Sequence, residues 1–104
     1  MITFDNLEFD LGTIKHGVTK SVVVNINNSG STPVEFTVAN ASCSCTSGYV
    51  EYSTLQPKSK GTFKISFNSN KVYKGNNLNK SIALNYKIGR DSFSQIFRLK
   101  ANVV

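Results

Sequence analysis

The sequence predicts an all-β fold, an antiparallel β-sandwich of about seven strands. Three observations predict it. Apolar residues recur at every second position in five separate stretches, the period of a strand with one face buried. Clusters of Asn, Gly, Ser and Pro separate those stretches and mark turns. No window carries a convincing apolar stripe at helical spacing. About seven short strands in 104 residues is the pattern of an immunoglobulin-like (Ig-like) sandwich.

The strands are expected near 2–9, 20–27, 34–41, 47–53, 61–68, 78–88 and 93–103. Val22, Val24 and Ile26 take the inward positions of the second. Val34, Phe36 and Val38 do so in the third, and Phe63, Ile65 and Phe67 in the fifth. Ile82, Leu84, Tyr86 and Ile88 line the sixth; Phe97, Leu99, Ala101 and Val103 line the seventh. Turns are expected at 27–33, 57–61, 74–77 and 89–92. The apolar phase slips after Val38, where Ala41, Cys43 and Cys45 take odd positions. A bulge or strand end near Ala39-Asn40 accounts for the slip.

The length fits one domain over residues 1–104, with no linker or repeat. The longest purely apolar run is Val22-Val23-Val24, far short of a membrane span. Met1 leads directly into patterned sequence without a basic or apolar leader region. The expectation is a chain made in the cytosol; removal of a leader is the alternative. Charge is uneven. Residues 1–52 hold two Lys against five acids, a balance of −3. Residues 53–104 hold ten Lys or Arg against Asp91 alone, a balance of +9. That asymmetry suits an acidic partner surface, or simply solvated outward strand positions.

Cys43 and Cys45 are the only cysteines. In extended backbone their Cα atoms would stand about 6.5 Å apart on one face. This is near the upper limit for a disulfide, which would need a bent backbone. A zinc site wants four ligands, and His16 is the only imidazole. Cu(I) accepts two thiolates, so Cys43, Cys45 and His16 remain weak metal candidates. The reading adopted is two small buried thiols at the end of the sandwich, with no metal and no cofactor. Catalysis is not expected: His16 has no evident partner, and phosphate-loop, dinucleotide and zinc-protease motifs are absent. Lys64, Lys80, Lys87, Arg98 and Lys100 are not interleaved with aromatics, which disfavours nucleic acid as a partner.

The order of motifs resembles a known family. Phe9-Asp10-Leu11-Gly12-Thr13-Ile14 is followed by Asn28-Ser29-Gly30-Ser31-Thr32-Pro33-Val34 and by Ala41-Ser42-Cys43-Ser44-Cys45-Thr46. Leu55-Gln56-Pro57 then leads into Gly61-Thr62-Phe63-Lys64-Ile65-Ser66-Phe67. Over residues 4–90 this is similar to the bacterial domain of unknown function 1573, an Ig-like sandwich akin to Hydin-type and major-sperm-protein-like domains. Leu11, Ser44 and Lys58 stand where that family usually has Phe, Gly and the Gly of a Pro-Gly pair. Ser44 in place of Gly argues against a tightly bent cysteine pair.

The resemblance implies a non-enzymatic structural or interaction protein. Family members are commonly secreted or lipid-anchored in Bacteroidetes-type bacteria. A leaderless copy resembles an auxiliary capsid protein of a crAss-like bacteriophage. The expected role is therefore decoration of a phage capsid, with the major capsid protein as partner, no membrane, and the virion exterior as its place. Lys58, Lys60, Lys71, Lys74 and Arg90, all in turns, are the expected contact residues. Two alternatives stay open: a periplasmic or extracellular adhesion or carbohydrate-binding module, and a copper or redox protein using Cys43 and Cys45.

Overall fold

The computed structural model describes residues 1–104, apart from the side chain of Val38. The chain forms nine strands and one 3₁₀ turn. They are β1 (Ile2–Phe4), β2 (Glu8–Ile14), β3 (Thr19–Asn28), β4 (Val34–Ala41), β5 (Thr46–Val50), β6 (Thr54–Leu55), β7 (Ser59–Asn68), β8 (Gly75–Ile88) and β9 (Asp91–Val103). The 3₁₀ turn, Ser69–Lys71, lies between β7 and β8. One sheet has the order β1-β3-β7-β5 and the other β2-β9-β8-β4-β6. Together they make the expected Ig-like sandwich, 46 × 19 × 18 Å.

The expected inward residues meet between the sheets. Val24, Ile26, Phe63, Ile65 and Phe67 from one sheet face Ile82, Leu84, Phe97 and Leu99 from the other, all buried. Phe63 and Phe97 join the layers at a ring separation of 5.4 Å. Val22 and Ile88 pack at the margin of this core. The Val38 side chain lies outside the described residues.

Three features depart from the sequence reading. The strand expected over 2–9 is two strands in different sheets, β1 against β3 and β2 against β9. The break has a local cause. Asp5 turns its carboxylate to Asn25, whose backbone N–H and side-chain amide donate to it at 2.9 and 2.7 Å. These donors hold the Asp5 carboxyl below the usual value of 3.8. The Asn6 carboxamide oxygen then accepts the Glu8 N–H at 3.3 Å, a local bond that competes with a continuous ladder. Second, β2 runs parallel to β9, so the sandwich is not wholly antiparallel. Gly12, at φ +71°, lies in a register shift between Asp10 and Thr13 and carries the inward phase from Leu11 to Ile14. Third, the short strand β6 adds an edge beside the start of β4.

The phase slip in β4 is a bulge. Phe36 pairs with Tyr86 and Ala39 with Leu84, so the extra residue falls at Thr37-Val38, two places before the expected site.

One polar side chain is built into the apolar interior. Asn28, 1% exposed, donates its amide to the carbonyls of Thr32 (2.9 Å), Leu55 (3.2 Å) and Gln56 (3.2 Å). Its oxygen accepts the Gly30 N–H at 3.1 Å. No buried side-chain nitrogen or oxygen among the described residues lacks a partner. Asn28→Ala removes the shared donor from three carbonyls, and leaving buried groups unpaired costs about 1–3 kcal/mol each where water cannot replace the donor. The expected loss of stability is about 3 kcal/mol in urea unfolding, with an unchanged slope against denaturant.

Candidate interaction surface

The two sheets end side by side at β4 and β5, and both strands leave backbone unpaired there. In an antiparallel ladder, alternate residues turn their N–H and C=O toward the partner strand. The Glu51 N–H donates to the Thr62 carbonyl at 2.9 Å, and the Asn68 N–H donates to the Cys45 carbonyl at 2.7 Å. These two bonds fix the phase of β5 against β7. Ser47 and Tyr49 face β7, whereas Gly48 and Val50 turn their N–H and C=O outward. Across the gap, the Ser42 N–H donates to the Ser81 carbonyl, so by the same alternation Ala39 and Ala41 face away from β8. Between these edges runs a shallow groove of mixed polarity, lined by Phe36, Ala39, Gly48 and Leu84 together with Thr37, Glu51 and Ser53.

Gly48 is required here. A Cβ on it would stand 2.5 Å from the Phe63 ring and 2.8 Å from Ile82 Cδ1. The inward face of β5 therefore rests directly on the core and leaves a step beside it. On the outward face, Tyr49 (72% exposed) stands opposite Lys64 in a row that continues to Val23.

Cys43 and Cys45 are joined by a disulfide, which corrects the expectation of two free thiols. Residues 43–45 are not extended. The Thr46 N–H donates to the Cys43 carbonyl at 3.2 Å, closing a turn that brings the two Cα atoms to 5.2 Å. That span is ordinary for a bridge. Ser44 is not among the residues with positive φ, so the turn needs no glycine and the objection drawn from Ser44 does not hold. Lys58, by contrast, has φ +61°, the left-handed conformation that the family pattern supplies with Gly.

The weak metal candidates do not assemble. Among the described residues, no group of three or more His, Cys, Asp or Glu converges. His16 lies at the Cys43–Cys45 end, its Nε2 3.1 Å from the Val72 carbonyl oxygen. The five candidate contact residues divide between the two ends. Arg90 is in the β8–β9 turn, and Lys58 Nζ donates to the Ser29 carbonyl at the same end. Lys60 lies near that end on the outer face, in a depression shared with Asp5 and Glu51 that offsets its charge. Lys71 and Lys74 lie at the opposite end beside Cys43, where Lys80 joins them. The sequence did not single out Lys80 as a contact, nor the open β4 and β5 edges.

The family described as "Protein of unknown function (DUF1573)" matches residues 2–103. The chain belongs to the DUF1573 family. Comparison with curated protein sequences found no match. Solved structures similar to this DUF1573 domain share its fold at low identity. The Vibrio cholerae protease VesB matches at a TM-score of 0.72 and 14% identity, over 97% of this chain but only 31% of VesB. The ASH/PapD-like domain 7 of human CEP192 matches at 0.69 and 12% identity, covering 99% of this chain and 84% of that one. WR4, a C. elegans MSP family member, matches at 0.71 and 15% identity, with 97% of each chain covered. These likenesses are of fold: the DUF1573 domain has an Ig-like sandwich architecture similar to that of the PapD-like and MSP domains.

The packing beneath β5 makes a prediction. Gly48→Ala forces Phe63 and Ile82 to move, and overpacking of this kind costs about 1–3 kcal/mol. Thermal unfolding should show a lowered midpoint. An unchanged midpoint would mean that β5 does not lie on Phe63.

Proposed function

We propose that this DUF1573 domain is a non-enzymatic interaction domain that holds a partner protein by pairing an extended partner segment with β5. The observation that supports this most directly is the open edge at Gly48 and Val50, bordering a groove whose lining mixes Phe36, Ala39 and Leu84 with Thr37, Glu51 and Ser53. Strand addition uses such an edge: backbone bonds supply affinity and alternate side chains enter pockets. The partner segment would place an apolar side chain over Phe36, Phe63 and Leu84. Glu51 lines the groove, so an acidic segment is not favoured there; the +9 balance of residues 53–104 would act on an acidic partner surface through the ends of the sandwich.

The finer reading is decoration of a bacteriophage capsid, with the domain on the virion exterior after synthesis in the host cytoplasm. Its supports are the family resemblance and the basic second half. The two ends would then make separate electrostatic contacts, Lys58 and Arg90 at one and Lys71 and Lys74 at the other, with Lys60 subordinate. Co-sedimentation of the domain with capsids of a Bacteroidetes-infecting tailed phage tests it. Binding should weaken steeply between low and high salt, because exposed charges are screened within about 10 Å at 0.1 M. No binding at low salt would end the capsid reading. Val50→Pro removes an edge N–H that β7 does not use, so the fold should persist. Binding should fall at least about tenfold, the equivalent of 1.4 kcal/mol. Undiminished binding by folded Val50→Pro would end the strand-addition reading.

The disulfide favours a second reading, a periplasmic or extracellular adhesion or carbohydrate-binding module, because such bridges persist in oxidising compartments. Exposed Tyr49 and Tyr52 would supply stacking surfaces for a sugar. Glycan-array binding that is lost in Tyr49→Ala with Tyr52→Ala would support it. Absence of glycan binding by the oxidised domain would count against the carbohydrate form.

A further inference from the structure

We propose that the Cys43–Cys45 bridge is a thiol–disulfide exchange site for small anionic thiols of the glutathione type. This inference does not depend on the interaction surface at β5.

The bridge is poorly placed to be a staple. It spans a sequence separation of 2 within one turn and ties no two distant elements together. A ring this small removes little freedom from the unfolded chain, since the entropic gain from a bridge grows with the loop it closes. The two sulfurs are also unequal. Cys45 is 2% exposed, and its Sγ lies 3.4 Å from Thr46 Oγ1. Cys43 is only partly buried and lines a surface depression. An incoming thiol would therefore approach the bridge from the Cys43 side.

The surroundings of Cys43 suit negative charge. Its depression is rimmed by Lys71, Lys74 and Lys80, and no Asp or Glu lines it. The Cys45 backbone N–H donates to Cys43 Sγ at 3.0 Å. A hydrogen bond to sulfur and nearby cations both favour a thiolate over a thiol. The same cations would hold the carboxylates of a glutathione-type thiol.

The exchange balances without any other reactant. The thiolate of one small thiol attacks Cys43 Sγ, and the Cys43–Cys45 bond breaks. The electron pair goes to Cys45 Sγ, which is protonated from solvent, leaving a mixed disulfide on Cys43. A second thiolate attacks the small thiol's sulfur in that mixed disulfide. Cys43 leaves as a thiolate, favoured by the Cys45 N–H, and the small molecule departs as its own disulfide. One protein disulfide is reduced and two small thiols are oxidised. The reverse sequence, starting from the oxidised small molecule, restores the bridge.

The test is the rate of bridge reduction in the folded oxidised domain, read by alkylation and intact mass. Glutathione is compared with the cationic thiol cysteamine at equal thiolate concentration. The expected result at low salt is reduction by glutathione at least about tenfold faster, within the range of electrostatic effects on association rates. The preference should collapse at high salt and in the combined variant Lys71→Ala, Lys74→Ala and Lys80→Ala. Cys45→Ser treated with oxidised glutathione should carry one glutathione, on Cys43. Equal rates for the two thiols in the unsubstituted domain would overturn the proposal. So would a bridge that yields only when the sandwich unfolds.

Discussion

The Asn28 side chain sits where β3 ends in one sheet and the chain turns to begin β4 in the other. Its amide binds carbonyls from the turn (Thr32), from β6 (Leu55) and from the segment after β6 (Gln56), and its oxygen fixes Gly30. Each carbonyl would otherwise need another donor near the apolar interior, where an unpaired polar group is expensive. The position of β6 beside β4 and the entry into β7 are thus tied to the same carboxamide. From there the registers follow: β7 runs along β3 from Ser59 to Asn68, and β5 lies on the other side of β7.

That arrangement decides where the molecule stays open. β6 covers only the first residues of β4, pairing Val34 and Glu35. β5 is five residues long and rests on Phe63 through Gly48, without a side chain to fill the step beside it. The bulge at Thr37-Val38 interrupts the facing edge, a device that discourages indiscriminate edge pairing. An edge that is short, set beside a groove of mixed polarity and flanked by Tyr49 and Lys64 can select its partner segment by side chain as well as by backbone. The ends of the sandwich have separate chemistry. One carries Lys58 and Arg90, and the other gathers Lys71, Lys74 and Lys80 around the depression that Cys43 lines.

Most of the core was legible in the sequence because period two is a direct consequence of the pleat. Val24, Ile26, Phe63, Ile65, Phe67, Ile82, Leu84, Phe97 and Leu99 are buried as their alternation requires. The division of residues 2–14 between two sheets left a signal too. Apolar positions are even at Ile2 and Phe4, odd at Phe9 and Leu11, and even again at Ile14. Each change of phase marks a break, first at the Asp5–Asn6 turn and then at Gly12. The parallel pairing of β2 left no signal, because it is set by which strand lies next to β9.

The site was less legible. Which backbone groups of β5 face outward depends on its phase against β7, which the sequence does not show. The cysteine turn was misread from Ser44, since glycine in a family pattern reports a common choice and here φ is not positive. At Lys58 the same kind of comparison pointed to a real requirement, because that residue does adopt φ +61°. Of the basic residues expected in turns, Lys58, Lys74 and Arg90 lie between strands, Lys71 ends the 3₁₀ turn and Lys60 falls inside β7; only the fold separates them into two ends. The central claim, that β5 is an open edge awaiting a strand, is tested most directly by amide hydrogen exchange resolved residue by residue along β5. In the isolated domain exchange should alternate, with Tyr49 and Glu51 protected and Gly48 and Val50 exchanging fast. Gly48 and Val50 should become protected in the complex with a bound partner. Protection of Gly48 and Val50 already equal to that of Tyr49 in the isolated monomer would contradict it.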